Sequence, residues 1–312
     1  MLTHGMEVTV MASDQPAERE SAPDPHALEF EHVSMFFDDS PALQDITFKL
    51  QRGQMVFITG AAGSGKSVLL HLAIGLMHPS RGRILVNGRD ISGLDETELL
   101  AIRSRDMGLV FQEDALFTGM STYDNAAYRL VEHELPEAEV DRAVREILTF
   151  VGLENDLEKL PEELSIGMRR RLELARALAG CPSIMLFDEP TSGLDPINSR
   201  QVLDLIIRAR DINGGSSLFV TKELHQIPYA AYRRAERKGS GEVTISKVEG
   251  KDRPNTGVIV LHEGRIAFTG SVEDFESSQK PEVAELTHPK STVREEDIEI
   301  RDPWSKERHW KL

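Results

Sequence analysis

Residues 60–67 read Gly60-Ala61-Ala62-Gly63-Ser64-Gly65-Lys66-Ser67, which satisfies the phosphate-loop pattern G-x-x-x-x-G-K-[ST]. The apolar and branched run from Met55 to Thr59 precedes this loop and is typical of a strand buried in a parallel sheet. Apolar residues at helical spacing follow it and predict a helix that ends near Pro79. In such a strand, loop and helix, backbone N–H groups converge on a polyphosphate. The stretch predicts an α/β fold that binds a nucleoside triphosphate, with Lys66 at the β- and γ-phosphates and Ser67 on Mg²⁺.

The composition limits the partners of this chain of 312 residues. Its formal net charge of -16 argues against a nucleic-acid partner, whose phosphates require a basic face. Cys181 is the only cysteine, so an intramolecular disulfide and a zinc cluster are both excluded. The apolar stretches are shorter than the roughly 18 residues that cross a bilayer. A role at a membrane would therefore require an anchoring partner.

Periodicity indicates three structural parts. Alternating residues at 28–33 and 46–50, with a hairpin turn at Asn87-Gly88, predict a small antiparallel sheet. Buried strands at 107–111, 183–187 and 217–221 alternate with helices and predict a doubly wound parallel sheet. Helical periodicity at 121–131, 137–151 and 168–180 predicts a helical lobe inserted into that core.

Two local features lie outside these three parts. Phe37 lies in a predicted polar turn, where it would either plug a loop or stack on a nucleotide base. Residues 242–248 predict one strand of a hairpin arm, with Gly257 to Leu261 as its return strand.

Polar side chains follow three of the buried strands and provide the groups that phosphoryl transfer to water requires. We expect Asp188, on a strand beside that of the loop, to hold Mg²⁺ and the adjacent Glu189 to polarise the attacking water. Gln112 also follows a strand and is predicted to reach both the metal and the water. Two adjacent carboxylates at a buried edge would be costly without a metal or a proton to share.

Two further stretches resemble those of the ATP-binding cassette (ABC) ATPases. Leu164-Ser165-Ile166-Gly167-Met168 is similar to the signature sequence of that family. Residues 188–196 are similar to its Walker B strand end, catalytic glutamate and D-loop, which includes Asp195. Together with the phosphate loop and Gln112, these motifs follow the order of the family over residues 28 to about 272.

The resemblance implies an architecture. The fold would be a P-loop NTPase of ABC type, with a RecA-like parallel-sheet core, an antiparallel β subdomain and an inserted α-helical subdomain. Residues 1–27 would be a disordered leader, 28–275 the nucleotide-binding domain and 276–312 a C-terminal extension or tail. Within the domain, the helical subdomain would span about 113–180 and the arm about 233–256.

The resemblance also implies partners and a set of site residues. Two copies would dimerise head to tail around two ATP molecules with Mg²⁺, in the cytoplasm, and would be held at the inner face of the cell membrane by permease subunits. Besides the eight loop residues, Phe37, Ser165, Gly167 and Asp195 would contact the nucleotide. Mg²⁺ would be held by Ser67, Gln112 and Asp188, and catalysis would rest on Glu189, Gln112, Lys66 and Lys222.

Departures from the family pattern leave the substrate open. Met168 in the signature, together with residues 117–125 and 261–266, is similar to the subgroup that drives phospholipid trafficking with MCE (Mla) type lipid-binding proteins. Residues 168–172 are, however, shared with drug-exporter cassettes. Both substrate classes therefore stand as alternatives.

A second departure concerns hydrolysis. Lys222 stands where the family has a histidine that touches the γ-phosphate, and His225 lies one turn away on the following helix. Lysine is a longer, more strongly hydrated point charge than histidine. The sequence therefore predicts either an ATPase or a regulatory ATP switch with weak hydrolysis.

Overall fold

The computed structural model describes residues 25–287 except 39, 114, 132–134 and 240–242. The predicted leader up to residue 24 and the end of the chain from residue 288 lie outside the described residues. In chain order the elements are β1 (His26–Phe37), β2 (Ser40–Gln51), β3 (Met55–Gly60), α1 (Lys66–Ala73), β4 (Arg81–Val86), β5 (Arg89–Asp90), α2 (Glu96–Asp106), β6 (Met107–Val110), α3 (Thr122–Val131), α4 (Glu137–Phe150), α5 (Ile166–Leu178), β7 (Ile184–Asp188), α6 (Pro196–Asn213), β8 (Ser216–Val220), α7 (Gln226–Ala231), β9 (Arg233–Arg237), β10 (Val243–Lys247), β11 (Thr256–His262), β12 (Arg265–Gly270), α8 (Val272–Glu276) and α9 (Pro281–Thr287).

The antiparallel sheet has the strand order β2-β1-β4-β5. Strands β4 and β5 are joined by Asn87 and Gly88, whose φ angles of 49° and 81° suit a tight hairpin turn. This confirms the predicted antiparallel sheet and its turn. The first strand extends through Phe37, so Phe37 lies at a strand end rather than inside a turn.

The larger sheet has the order β12-β11-β3-β8-β7-β6, with parallel pairing from β11 to β6. Every residue of β3, β7 and β8 is buried, because helices and the antiparallel sheet cover the two faces. The prediction that Asp188 lies on the strand next to the loop strand is wrong. Strand β8 pairs with both β3 and β7 and separates them, since the crossover through α6 inserts β8 between them.

The helical lobe consists of α3, α4 and α5. Apolar residues at helical spacing on α4, including Val144 and Leu148, are fully buried against the neighbouring helices. The lobe lies between β6 and β7 in the chain, as predicted from periodicity. Within the described residues, no helix is long and apolar enough to cross a bilayer.

The prediction for the arm is wrong in one strand. Strand β10 pairs with β9, with Ala235 opposite Ile245, and not with Gly257 to Leu261. Those residues belong to β11, which pairs in parallel with β3, because this apolar run is buried on both faces. Helix α6 anchors the arm: Arg210 Nη2 donates to Arg233 O at 2.6 Å, and the backbone N–H of Ala235 donates to Asp211 Oδ2 at 2.7 Å.

Two elements lie at the ends of the described core. Strand β1 begins at His26, two residues before the predicted start at residue 28. Helix α9 lies within the segment predicted as a C-terminal extension, and its Val283 is fully buried in the core. The first part of that segment therefore packs on the nucleotide-binding domain.

Candidate functional site

The loop at residues 60–65 is held between two sheets by close backbone approaches. A Cβ atom at Gly60 would lie 2.2 Å from Leu261 O, and one at Gly65 would lie 2.8 Å from Ala42 O and 2.6 Å from Leu43 Cδ2. Both glycines have positive φ, 149° and 97°, which side chains rarely adopt. The loop therefore has a fixed path from β3 into α1.

The tip of the loop is open to a ligand. Ala61, Ala62 and Gly63 are exposed, and a Cβ atom at Gly63 would meet nothing within 4 Å. Helix α1 begins directly at Lys66, so its first turn faces the loop. The positive end of that helix and the loop N–H groups suit a polyphosphate.

Lys66 lies at the mouth of this loop. Its Nζ donates to Gly60 O at 2.9 Å and to Ala61 O at 2.8 Å. Lys66 as a whole is 9% exposed. Burial lowers the pKa of Lys66, while Glu189 and Asp188 oppose that shift. Within the described part of the chain, Lys66 thus places a cation beside two carboxylates and the open loop.

Asp188 and Ser67 fit a divalent cation. Asp188 is 6% exposed, and burial raises its pKa even though the Ser67 side chain hydrogen-bonds to it. Among the described residues, its Oδ1 atom has no hydrogen-bond partner. An orphaned buried carboxylate oxygen next to a hydroxyl is a ligand pair that Mg²⁺ accepts. When bound there, Mg²⁺ would neutralise phosphate charge.

Glu189 follows Asp188 in a strained backbone conformation. Its φ is 45°, a region that non-glycine residues rarely occupy, and its N–H donates to Val220 O at 3.1 Å. One carboxylate oxygen, Oε2, lies 2.9 Å from Lys222 Nζ. The turn after β7 therefore aims the carboxylate towards the end of β8, where Lys222 lies.

The remaining predicted site residues lie around this centre. Gln112 and Phe37 are exposed, and their proposed contacts with metal and base stay predictions. Ser165 is the N-cap of α5, which begins at Ile166, and its Oγ accepts from the Met168 N–H at 3.2 Å.

Gly167 of the signature lies close to the first turn of α6, which Asp195 caps. A Cβ atom at Gly167 would lie 2.2 Å from Asn198 Oδ1. Asp195 caps α6 by accepting from the Ile197 and Asn198 N–H groups at 2.9 and 3.0 Å, and hydrogen bonds from Asn198 lower its pKa. Nucleotide contacts by Gly167 and Asp195 remain predictions.

His225 lies at the N-terminal end of the helix that follows Lys222. It precedes α7 as its N-cap, its side chain is exposed, and its Nδ1 is 3.7 Å from Glu223 Oε2. Lys222, and not His225, contacts Glu189.

Sequence reasoning missed a buried polar network behind Glu189 and Lys222. Thr221 Oγ1 donates to Gln226 Oε1 at 3.0 Å, and Gln226 Nε2 donates to Thr191 Oγ1 at 2.7 Å. All three side chains are at most 5% exposed. The network joins the turn after β7 to the turn after β8. Polar residues flanking two buried strand ends are its only sequence signal.

The ABC transporter family model matches residues 43–192, which include the phosphate loop and residues 188–192. This chain carries an ABC transporter ATPase domain. The ABC family comprises ATP-hydrolysing transporter subunits that bind ATP with Mg²⁺. The predicted ABC fold, and the expectation of ATP and Mg²⁺, are thereby confirmed at the level of the family.

Relatives of the ABC domain are named as transport proteins. The probable ribonucleotide transport ATP-binding protein mkl of Mycobacterium leprae is 40% identical over 205 residues, which cover 65% of this chain and 58% of that protein. The methionine import ATP-binding protein MetN of Cutibacterium acnes is 38% identical over 212 residues, 66% of this chain and 58% of that protein. The matched region thus spans less than two thirds of the length of these relatives.

Solved structures share the ABC fold. The cbiO1 protein of Clostridium perfringens, part of the ABC transporter complex cbiONQ, has a TM-score of 0.68 at 26% identity, over 85% of this chain and 97% of that chain. The cassette MJ0796, in a dimeric post-hydrolysis state bound to ADP and phosphate, has a TM-score of 0.65 at 23% identity, over 78% of this chain and 98% of that chain.

Proposed function

We propose that the chain is the ATP-hydrolysing subunit of an ABC transporter, in which two copies dimerise head to tail around two ATP molecules and drive a membrane permease. One observation carries this proposal: Lys66, Asp188 and Glu189 lie together at the edge of the parallel sheet, beside an open phosphate loop. These groups provide the cation, the metal ligand and the carboxylate that phosphoryl transfer to water requires.

Each residue has one task in this proposal. Lys66 and the loop N–H groups bind and orient the phosphates, while Ser67 and Asp188 hold the metal. Glu189 accepts a hydrogen bond from the attacking water and positions it. Lys222 places its ammonium near the γ-phosphate. A second copy contributes Ser165 and Gly167, at the N-terminus of α5, to close the site.

Phosphate release by the purified full chain tests the activity. We expect Glu189→Gln to lower kcat by about 10²- to 10⁴-fold, because it removes the general base, while ATP binding persists. A rate that Glu189→Gln leaves unchanged would exclude this chain as the ATPase.

Among substrate classes, we favour phospholipid or another lipid, handled with an MCE-type lipid-binding protein. Met168 and the stretches 117–125 and 261–266 support this class, whereas residues 168–172 are also similar to drug-exporter cassettes. The relatives named above carry other substrates in their names. Co-purification with membrane subunits, followed by mass spectrometry of bound proteins and lipids, tests the assignment. Recovery of an efflux permease without a lipid-binding protein would favour the drug-exporter alternative.

The ion pair of Lys222 with Glu189 favours a second candidate function, a regulatory ATP switch with weak hydrolysis. In that case ATP closes the dimer, and the paired carboxylate does not activate water efficiently. Sedimentation with ATP, compared with turnover, separates the two functions. Dimers that form with ATP but release almost no phosphate would favour the switch.

A further inference from the structure

Helix α5 carries a buried ion pair that the nucleotide machinery described above does not use. Arg170 and Glu173 are 8% and 3% exposed, and Arg170 Nη1 lies 2.5 Å from Glu173 Oε2. Buried charges are costly unless partners satisfy their remaining hydrogen-bonding capacity. The other contacts of this pair therefore indicate what it holds in place.

Those contacts are made with the backbone around Gln112. Arg170 Nη1 donates to Phe111 O at 2.8 Å, and Nη2 donates to Gln112 O at 2.9 Å. Glu173 Oε1 accepts from the Ala115 N–H at 2.9 Å. The ion pair thus hydrogen-bonds to the backbone of the segment that follows β6, on both sides of the Gln112 side chain.

The same helix begins at the signature serine. Ser165 caps α5, and Arg170 lies five residues later, just over one helical turn away. Because a helix is stiff over this distance, a displacement of the Gln112 backbone is transmitted to Ser165 through Arg170.

We infer that Arg170, oriented by Glu173, is a positioning residue that couples the two nucleotide sites of the proposed dimer. This inference rests on the proposed function, in which Ser165 closes over the ATP of the partner, and on the prediction that Gln112 reaches the metal and the water of the ATP bound by its own subunit. Occupation of one site then sets the position of the residue that completes the other. Such coupling is reciprocal for binding, so ATP at either site changes the affinity of the other site for ATP.

Substitution of Arg170 by lysine separates this role from simple stability. Arg170→Lys keeps a positive charge opposite Glu173 but loses the planar fork that reaches two carbonyls. Arg171→Lys is the matched control. Arg171 occupies the next position of the helix, and its Nη1 donates to Val151 O at 2.7 Å and to Gly152 O at 3.2 Å, away from Gln112.

The measurement is the ATP dependence of phosphate release by the full chain, with thermal unfolding in parallel. We expect a Hill coefficient near 2 for the unchanged chain and for Arg171→Lys, since two sites are coupled. For Arg170→Lys we expect a Hill coefficient near 1 and a kcat about fivefold lower, at a thermal midpoint similar to that of Arg171→Lys.

Three outcomes overturn the inference. A Hill coefficient near 1 in the unchanged chain shows that the sites are independent. Equal retention or equal loss of cooperativity in both variants shows that Arg170 has no special role in coupling. An unchanged chain that releases no phosphate overturns the proposed function itself, and that result is seen without any variant.

Discussion

The ammonium of Lys222 lies 2.9 Å from a carboxylate oxygen of Glu189, which joins the ends of the neighbouring strands β7 and β8. The hydrogen bond and the charge of Glu189 raise the pKa of Lys222 above its ordinary value of 10.5. The pairing therefore stabilises the charged lysine throughout the neutral range, and this contribution is lost only as the pH rises through the raised pKa. At neutral pH, Lys222 competes with water for the oxygen of the proposed base.

Replacement of Lys222 by histidine tests this competition. We expect Lys222→His to raise kcat about three- to tenfold at pH near 8, because a neutral imidazole binds the carboxylate less strongly while still offering a donor to phosphate. Steady-state phosphate release measures the change. The KM for ATP should change less than kcat, since Lys66 and the loop hold the nucleotide.

The alanine variant provides the comparison for Lys222→His. Lys222→Ala frees Glu189 but removes the donor, so we expect it to lower kcat by about tenfold or more. If both variants raise kcat equally, Lys222 acts only by restraining Glu189. If both lower it equally, the ion pair does not limit hydrolysis, and the predicted gain is wrong.

Asp188 should make metal binding sensitive to acid. Burial raises its pKa, so the protonated form is favoured in the fold and stability decreases as the pH rises through that pKa. A bound cation favours the ionised carboxylate of Asp188 and therefore opposes this loss of stability. We expect the thermal stabilisation by Mg²⁺ and ATP to shrink as the pH falls through the raised pKa of Asp188, because the protonated carboxyl no longer holds the metal.

The Asp188→Asn variant isolates that carboxylate. We expect it to raise the thermal midpoint without Mg²⁺, because it removes a buried charge whose Oδ1 atom has no hydrogen-bond partner among the described residues, and to abolish the extra stabilisation by the metal. Glu285→Gln, at an exposed position on α9, is the matched control and should change neither quantity. A metal effect that survives in Asp188→Asn would place the metal on other ligands.

The sequence predicted correctly those parts of the fold that depend on local residue patterns. The loop, the turn at Asn87 and Gly88 and the lobe helices follow from glycine conformations and apolar spacing. Strand order was not accessible, because β8 enters between β3 and β7 through pairing between distant segments. The pairing of Lys222 with Glu189, and of Arg170 with Glu173, likewise depends on which strand ends and helices become neighbours.

Two glycines of the phosphate loop should differ in their tolerance of a side chain. At Gly65 a Cβ atom would lie 2.8 Å from Ala42 O, while at Gly63 it would meet nothing within 4 Å. Both have positive φ, which costs a substituted residue about 1 to 2 kcal/mol. We expect Gly63→Ala to lower the free energy of unfolding by about 1 to 2 kcal/mol. Gly65→Ala should lower it by at least about 1 kcal/mol more, because its Cβ atom would be overpacked. Urea unfolding measures both, and equal losses would contradict the steric argument.

Gln226 should be required for the spacing between the turns that carry Glu189 and Lys222. Its amide bridges Thr221 and Thr191 in a site where all three side chains are buried. Gln226→Leu fills the space but removes the donor to the Thr191 hydroxyl and the acceptor of the Thr221 hydroxyl, which keeps only the N–H of Glu223, each loss costing about 1 to 3 kcal/mol. We therefore expect a loss of about 2 to 4 kcal/mol in the free energy of unfolding by urea. The kcat for ATP should also fall while KM is kept, because the Lys222 turn loses its link to the Glu189 turn.

Gln201→Leu, at an exposed position of α6, is the control and should cost less than about 0.5 kcal/mol. If Gln226→Leu is no more damaging than this control, the network does not hold the two turns together.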